Sequence, residues 1–374
     1  MRCGGRSCSA TDVRFTHETL TQRVILDAGR SLEHLEAQVA HLGASRVMLV
    51  AGGSASSYAE RAAVRVPVVL RWTEVVQHVP VAVAERARAA AAEHDVDVVV
   101  CVGGGSAVGV AKAVALTARL PVIAVPTTYA GSEATPVWGL TEDGRKTTGV
   151  DPAVLPAVVV YDSDLTRSLP VDLSVASGLN ALAHCVDSMW APRSNPINQA
   201  LALEGARALA QGLPQVVGDP LGTPGRDQCL YGAYLSATAF ASAGSGLHHK
   251  ICHVLGGMFE LPHAQTHAVV LPHVLAYNAP AVPDLARRLA AALGAPADTD
   301  DPGTGASDAL AALEESVAAP RALRDLGLPL DAIPRVAERV VAAAPPTNPR
   351  SVTGPAIETL LRAAWEGAAP RSQS

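Results

Sequence analysis

Aromatic residues are scarce in this chain and make up only 3% of its 374 residues. Hydrophobic residues of all kinds still account for 49% of the sequence. Alanine, valine and leucine must therefore fill the hydrophobic core. The length is about twice that of a usual single domain, so two domains are expected.

A strong charge of one sign is also absent. The 29 basic and 35 acidic residues leave a formal net charge of -6, and no run of Lys and Arg stands out. A basic patch is the usual electrostatic footprint of proteins that bind nucleic acid or an acidic membrane. We therefore expect neither of these as the main partner.

The sequence contains no CxxC pair and no uninterrupted membrane-spanning segment. Its six cysteines are scattered, which fits a reducing compartment better than a disulfide framework. The most apolar segment, residues 96–126, is interrupted by three glycines and by Lys112. Residues 1–12 lack the apolar core of a secretory signal. We expect them to be a disordered leader and the protein to be cytoplasmic.

Residues 13–170 alternate short β-rich runs with helical runs, which predicts a parallel sheet covered by helices. Several of the runs are apolar without alternation, as is typical of strands buried on both faces. Two runs that flank Asp143-Gly144 predict a hairpin. The predicted strands are 46–51, 66–70, 97–102, 122–125 and 157–161, with 137–142 and 145–149 in the hairpin.

The β-rich runs stop after Pro170. Residues 171–374 consist of Ala- and Leu-rich helical segments that are broken at prolines, Pro214 among them. The sequence therefore predicts an α/β N-terminal domain over 13–170 and an all-α C-terminal domain over 171–374.

A glycine-rich loop, Gly103-Gly104-Gly105-Ser106, lies between a predicted strand and a predicted helix. Glycines there let a phosphate approach the backbone, and the helix N-terminus supplies free N–H groups. Thr127-Thr128 follows the next strand and should lie at the same edge of the sheet, where cofactors bind in open α/β folds. This pattern favours dinucleotide binding over a plain turn, although the order is not GxGxxG.

Gly52 ends the strand at 46–51, where nicotinamide-binding folds often carry an acid that binds the ribose 2′-hydroxyl. A glycine at this position carries no negative charge. A 2′-phosphate should therefore be tolerated, and both NADH and NADPH are candidate cofactors. A simple turn is the alternative.

Seven of the twelve histidines lie between residues 184 and 273. His249 and His253 are four residues apart, and Asn180 and His184 have the same spacing, so each pair shares a helix face. His263 follows a break between helices. Histidines that converge from several helices indicate a metal or acid–base site, provided that the helices face one another.

A metal site would need a fourth ligand. Three histidines and a carboxylate would suit Zn or Fe(II), but the residue four before His184 is Asn180, a neutral amide and a poor ligand. Asp187 lies three residues beyond His184 and is a weak substitute.

Several segments together resemble iron-containing alcohol dehydrogenases and, more closely, the maleylacetate reductase branch of that family. They are GGGSAVGVAKAVAL, PVIAVPTTYAGSEATPVWGLTEDGRKTTGVDP, SGLNALAHCVDSMWA and GLHHKICHVLGGMFELPHAQTHAVVLPHVLAYN. The likeness runs from about Phe15 to about Gly367, which is nearly the whole chain. It implies the dehydroquinate synthase-like fold of that family, with the active site in the cleft between the two domains.

The resemblance also implies roles for single residues. The family's metal ligands, one Asp and three His, match Asn180, His184, His249 and His263. The maleylacetate reductase branch shares this loss of the Asp and is thought to work without a metal, so no metal is expected. The implied cofactor-binding residues are Gly103, Gly104, Gly105, Ser106, Thr127, Thr128, Ser132 and Lys146, to which we add Gly52.

The implied substrate is 4-oxohex-2-enedioate, a dicarboxylate enone that is reduced by NADH or NADPH. Hydride addition to the alkene places negative charge on the ketone oxygen, and a histidine can stabilise this enolate without a metal. We expect His249 and His253 to contact the substrate and relay protons, and at least one histidine to titrate near neutrality. His184 and His263 would shape the pocket. Candidate substrate-binding residues are Tyr129, Asn180, Lys250, Arg145 and Arg350.

Three other functions remain open. The chain could reduce another enone or ketone in a biosynthetic pathway, or be a lyase of the dehydroquinate synthase type. It could also be a non-catalytic homologue. The lyase is disfavoured because it needs several Lys and Arg residues on a phosphate, and 180–280 contains just one Lys. The expected assembly is a homodimer.

Overall fold

The computed structural model describes residues 14–142, 145–295 and 302–370, without the side chains of 145, 146 and 302–304. The leader predicted over 1–12 lies outside this range. Six strands form one parallel sheet in the order β1-β8-β5-β4-β2-β3. They are β1 (Arg23–Leu26), β2 (Val47–Ala51), β3 (Val68–Trp72), β4 (Val98–Gly103), β5 (Val122–Pro126) and β8 (Val158–Tyr161).

The two remaining strands, β6 (Val137–Glu142) and β7 (Arg145–Val150), pair antiparallel from Val137↔Val150 to Glu142↔Arg145. This confirms the predicted hairpin, although its turn lies outside the described residues. The first strand of the sheet, β1, was missed because it is short and only partly buried.

The central strands are buried on both faces, as their non-alternating sequences predict. In β4, Val98, Val100 and Val102 pack into one hydrophobic cluster, whereas Val99 and Cys101 pack into another on the opposite face. Helices α1 (Ser31–His41), α2 (Ser56–Arg65), α3 (Val81–Glu93) and α4 (Gly105–Ala118) cover the sheet.

The second part of the described chain is helical, which confirms the predicted fold class. Its helices are α5 (Val171–Ser188), α6 (Pro196–Gly218), α7 (Thr223–Ala243), α8 (Leu247–Phe259), α9 (His263–Asn278), α10 (Pro283–Ala292), α11 (Pro302–Ser316), α12 (Ile333–Ala343) and α13 (Gly354–Glu366). Within the described residues, no helix has the length and apolar character needed to cross a membrane.

The predicted break at Pro214 is wrong, because this proline lies inside α6. Tertiary packing overrides the local preference here. Helices α6 and α7 approach so closely that a Cβ on Gly212 would lie 2.7 Å from the carbonyl oxygen of Gly225. The long contact between these two helices keeps α6 continuous across its proline.

The helical part is tied to the sheet by a fully buried arginine. The guanidinium of Arg226, on α7, donates to the carbonyl oxygens of Thr166 and Pro220 and to the Tyr129 hydroxyl. Buried polar groups need such partners, since leaving one unpaired costs about 1–3 kcal/mol. Arg226 thus connects the loop after β5, the loop after β8 and α7.

Candidate active site

The glycine-rich loop has the geometry of an anion-binding turn. Gly103 ends β4 with φ of 144°, which side-chain-bearing residues rarely adopt, and Gly104 precedes the first residue of α4. A Cβ on Gly104 would lie 2.9 Å from Thr128 Cγ2. No side chain caps α4, so its first N–H groups are open to a ligand.

The threonine loop lies beside the glycine-rich loop, as expected for adjacent parallel strands. The Thr127 backbone N–H donates to the Gly103 carbonyl oxygen at 3.1 Å, and both Thr127 and Thr128 are half-buried. The two loops therefore form one edge at which a pyrophosphate fits.

Lys112 positions the next part of this edge, a role that sequence reasoning missed. Lys112 is a buried residue of α4, and its Nζ donates to the carbonyl oxygens of Ser132, Thr135 and Val137 at 2.6–2.7 Å. Desolvation lowers the pKa of Lys112 to about 7, and the charge of Glu133 opposes this shift. Lys112 thereby fixes Ser132 relative to the glycine-rich loop, whereas the Lys146 side chain lies outside what the structure describes.

Gly52 lies between β2 and a short 3₁₀ turn and is half-buried. A Cβ at this position would meet the Val75 Cβ at 3.4 Å, which is close to ordinary contact. A larger side chain at residue 52 would thus be directed toward the connection between β3 and α3.

The loop after β5 also contacts the helices that carry the histidine site. The Tyr129 backbone N–H donates to Ser177 Oγ of α5 at 3.1 Å, and a Cβ on Gly131 would touch Ala237 of α7. Asn180 and His184 follow Ser177 on α5, and Phe240 follows Ala237 on α7. The cofactor edge and the histidine site are therefore connected through α5 and α7.

The predicted convergence of histidines is present. The rings of His184 and His249 stack with centroids 4.9 Å apart, and the Phe240 ring lies 4.8 and 4.2 Å from them. His253 lies 6.1 Å from His249, and His263 lies 4.3 Å from His267. The cluster consists of His184, Phe240, His248, His249, His253, His263 and His267.

His249 is held by a buried carboxylate. Its Nδ1 lies 2.7 Å from Oδ2 of Asp187, which is fully buried on α5. Asp187 also accepts hydrogen bonds from the backbone N–H groups of Gly246, His248 and His249 at the start of α8. One carboxylate therefore satisfies the α8 N-terminus and orients the imidazole, so that Nε2 is the free nitrogen of His249.

Burial sets the charge of the cluster. Desolvation lowers the pKa of His184 to about 4 and that of His248 to about 3, and it lowers the pKa of His249 and His267 well below the usual value. Desolvation likewise raises the pKa of the Asp187 carboxyl, against the charge of His248 and the backbone N–H donors. Burial therefore favours the neutral form of these four histidines, so none of the four meets the expectation that at least one histidine titrates near neutrality.

This burial predicts acid sensitivity of the fold. The pKa of His273, on α9, is lowered by desolvation to about 4 in the folded protein, against about 6.5 when unfolded. The unfolded chain therefore binds more protons between these pH values, and stability falls as pH decreases from about 6.5 to about 4. Melting temperature measured against pH should show this fall, and His273→Gln should reduce it. An unchanged slope in the variant would contradict the assignment.

The four positions that match the family's iron ligands do not fit an ion as arranged. Asn180 offers a neutral amide, whose buried Oδ1 has no partner among the described residues. The described groups of three or more His, Cys, Asp or Glu donors within 4.8 Å do not include a set of His184, His249 and His263.

Two predicted substrate-binding residues lie elsewhere. Tyr129 packs in the helical core, where Arg226 donates to its hydroxyl, so this hydroxyl is engaged in the core and not offered to a substrate. The Arg350 guanidinium stacks on Tyr277, which lies ten residues, or about 15 Å, along α9 from His267. Both predictions are therefore corrected. Lys250 is half-buried next to His249, and the Arg145 side chain lies outside the described part.

Sequence reasoning missed the role of two residues at this site. The sequence suggests Asp187 only as a weak metal ligand, and nothing in its local pattern shows that it reaches His249 on α8. Phe240 lies in an Ala-rich helix without any motif. The density of histidines between 184 and 273 was the one signal that pointed to their surroundings.

Two family models match the chain: "Iron-containing alcohol dehydrogenase" over residues 21–163 and "Fe-containing alcohol dehydrogenase family, C-terminal" over 174–365. A maleylacetate reductase of Sphingobium indicum is 46% identical over 96% of this chain and 99% of its own length.

Solved structures are similar over the same extent. An iron-containing alcohol dehydrogenase from Corynebacterium glutamicum superposes with a TM-score of 0.91 at 54% identity, covering 95% of this chain and 98% of that one. A maleylacetate reductase from Rhizobium sp. superposes with a TM-score of 0.88 at 41% identity, covering 96% and 99%.

Proposed function

The chain belongs to the iron-containing alcohol dehydrogenase family, and on that premise we propose that it is an NAD(P)H-dependent maleylacetate reductase. It reduces 4-oxohex-2-enedioate to 3-oxoadipate in the degradation of aromatic compounds. The family and the glycine-rich loop support a nicotinamide cofactor. We further propose a cytoplasmic homodimer.

The observation that carries this proposal is Asn180 beside a complete histidine cluster. A reductase of a simple ketone must polarise the carbonyl, and with Asn180 in place of an Asp the metal that would do so lacks its carboxylate ligand. An enone needs less polarisation of its carbonyl, since hydride adds to an alkene carbon and the negative charge spreads onto the conjugated oxygen. Imidazoles in a dry cleft can stabilise that charge. The similarity to maleylacetate reductases over nearly the whole chain supports the same substrate.

The cofactor edge binds and orients the nicotinamide cofactor. The N-terminus of α4 and residues Gly103–Ser106 hold the pyrophosphate, and Thr127, Thr128 and Ser132 line the adjoining part of the site. A bound NADH or NADPH supplies the hydride, which adds to the alkene carbon β to the ketone.

The histidines then manage charge and protons. His249 has Nε2 available to the substrate because Asp187 holds Nδ1. Burial keeps His249 neutral at rest, with its proton on Nδ1. As negative charge develops on the enolate oxygen, His249 takes a second proton at Nε2 from solvent through His253 and donates this N–H to the oxygen. That proton then passes to the enolate carbon, and His249 returns to its neutral form. The Asp187 carboxylate compensates the positive charge on the ring. His253 is exposed one turn along α8 and exchanges protons with solvent, so that the enolate carbon gains one proton.

The other proposed contacts follow from placement. His184 stacks on His249, and His263 contacts His267. His184 and His263 therefore shape the pocket. Asn180 contributes an unpartnered amide oxygen to the same face of α5. Lys250 and Arg145 remain the proposed partners of the two substrate carboxylates.

Oxidation of NADH or NADPH by maleylacetate, followed by absorbance, tests this function. We expect one equivalent of cofactor consumed per 3-oxoadipate formed. Reduction of other enones or ketones with higher kcat/KM would favour the alternative reductase. Turnover of a sugar phosphate without net cofactor oxidation would favour a lyase, and no turnover of any substrate would indicate a binding protein.

We predict that activity survives chelation. The reason is that Asn180 and the spread of the three histidines provide no complete ligand set at the family's metal position. The measurement is kcat before and after dialysis against EDTA, with metal analysis of both samples. Stoichiometric iron or zinc that is lost together with activity would refute the prediction.

We predict that both NADH and NADPH are accepted, and that Gly52→Asp discriminates between them. An aspartate at this position adds negative charge near the expected 2′-phosphate and contacts Val75. The KM for NADPH should therefore rise far more than that for NADH. Gly52→Asn is the matched control, since it adds similar bulk without charge. Equal rises with both cofactors would place the 2′ position elsewhere.

A further inference from the structure

A second group of potential metal ligands lies within the histidine cluster. His248 and Cys252 are one turn apart on α8, and His267 faces them from α9. All three side chains are buried, and neither Cys252 nor His267 has a part in the mechanism above. None of the three is among the four positions that match the family's metal ligands.

Their donor atoms already lie at distances suited to a shared ion. His248 Nε2 is 3.0 Å from His267 Nδ1 and 3.6 Å from Cys252 Sγ, and all three atoms lie within 4.8 Å of one another. A tetrahedral zinc with ordinary bond lengths separates two nitrogens by about 3.4 Å and nitrogen from sulfur by about 3.6 Å. Shifts of a few tenths of an ångström would complete most of this geometry.

The remaining ring nitrogens are left to carry the ring protons. His248 Nδ1 and His267 Nε2 are buried and have no hydrogen-bond partner among the described residues. When Nε2 of His248 and Nδ1 of His267 bind an ion, each ring keeps its proton on the other nitrogen. Only the Cys252 thiol must lose a proton, which passes to solvent as the sulfur–metal bond forms.

The donor chemistry selects the ion. Two imidazoles and a thiolate, with no carboxylate, favour a borderline or soft cation over Mg²⁺ or Ca²⁺. Among the residues that the structure describes, no fourth His, Cys, Asp or Glu joins the group, so one coordination position is left for water.

We propose that His248, Cys252 and His267 form a Zn²⁺-binding site that is separate from the four family positions. Binding would fix the His267 ring, whose centroid lies 4.8 Å from that of His249. Zn²⁺ should therefore lower the rate of a reductase that itself needs no metal.

Cobalt is the probe that distinguishes this site, because a thiolate ligand gives Co²⁺ an intense near-ultraviolet charge-transfer band that imidazole and amide ligands do not. The full chain, freed of metal by dialysis against chelator, is titrated with Co²⁺ and then with Zn²⁺. We expect one Co²⁺ per chain with the thiolate band, and loss of the band when Zn²⁺ displaces the cobalt.

Variants separate the possible outcomes. Cys252→Ser should abolish the band, whereas Cys185→Ser, a control at another buried cysteine on α5, should leave it unchanged. His267→Asn should weaken Co²⁺ binding by at least about 10-fold, and melting temperatures confirm that each variant is folded. Co²⁺ bound without the thiolate band would place it at other ligands and overturn the proposal. Absence of stoichiometric binding would overturn it as well.

Discussion

Replacement of His249 by alanine is expected to lower kcat by about 10²–10⁴-fold, the usual cost of removing one positioned acid–base group. The substitution removes the unpartnered Nε2 that we propose acts on the enolate, and it leaves the cofactor edge untouched. The KM for NADH should therefore change little. Steady-state kinetics of the purified variant provide the measurement.

His253→Ala is the cleaner companion, because His253 is exposed whereas His249 is buried against Asp187. We expect His253→Ala to lose kcat without a change in melting temperature, and His249→Ala to lose both activity and some stability. His41→Ala, at an exposed histidine that ends α1, is the matched control and should leave both unchanged. A near-normal kcat in both active-site variants would show that the histidines are structural.

The pH dependence of the wild type is part of the same expectation. Because burial lowers the pKa of His249 well below its usual value, kcat should show no limb at about pH 6.5 from this residue. A limb near pH 6.5 that disappears in His249→Ala would contradict the neutral resting state assigned here.

Replacement of Asp187 by asparagine is expected to be the second most damaging change. The carboxylate accepts hydrogen bonds from three backbone N–H groups and faces His249 Nδ1 at 2.7 Å. An amide offers one acceptor oxygen and one donor group, so at least one buried partner is left unpaired, at about 1–3 kcal/mol. It also favours the other tautomer of His249. A change of this kind in a carboxylate–histidine pair can cost up to about 10⁴-fold in kcat, and we expect at least about 10²-fold.

A purely structural role for Asp187 would lower stability but leave the tautomer of His249 unchanged. The ¹⁵N chemical shifts of the His249 ring separate the two cases, because they report which nitrogen carries the proton. We expect Nδ1–H in the wild type and a shift toward Nε2–H in Asp187→Asn. Asp172→Asn, at an exposed carboxylate on the same helix, is the control. Unchanged ¹⁵N chemical shifts together with an unchanged kcat would show that Asp187 only caps the N-terminus of α8.

Much of the fold follows from local sequence properties. The apolar runs of β2, β4 and β5 predict strands buried on both faces, because a strand in the middle of a covered sheet has no solvent side. The glycines at 103–105 predict a tight strand-to-helix turn, because glycine can adopt backbone angles that other residues rarely adopt. Gly103 takes such an angle in the structure. The spacing of His249 and His253 predicts a shared helix face.

Other features depended on contacts between distant segments. Pro214 should break a helix, yet α6 continues because α7 packs closely along it. Tyr129 lies in a cofactor-like motif, yet Arg226 and the helical core enclose it. Arg350 lies at the C-terminal end of α9, away from His267, because the loop before α13 packs against Tyr277 there.

The active site shows the same division most clearly. The sequence by itself determined that a dinucleotide loop and a set of histidines are present, since both are encoded in short segments with fixed spacing. Only the tertiary structure decided that Asp187 on α5 reaches His249 on α8, and that burial keeps the imidazoles neutral. The physical reason is that orientation and desolvation arise from groups that the fold brings together, and neither is a property of a residue's neighbours in sequence.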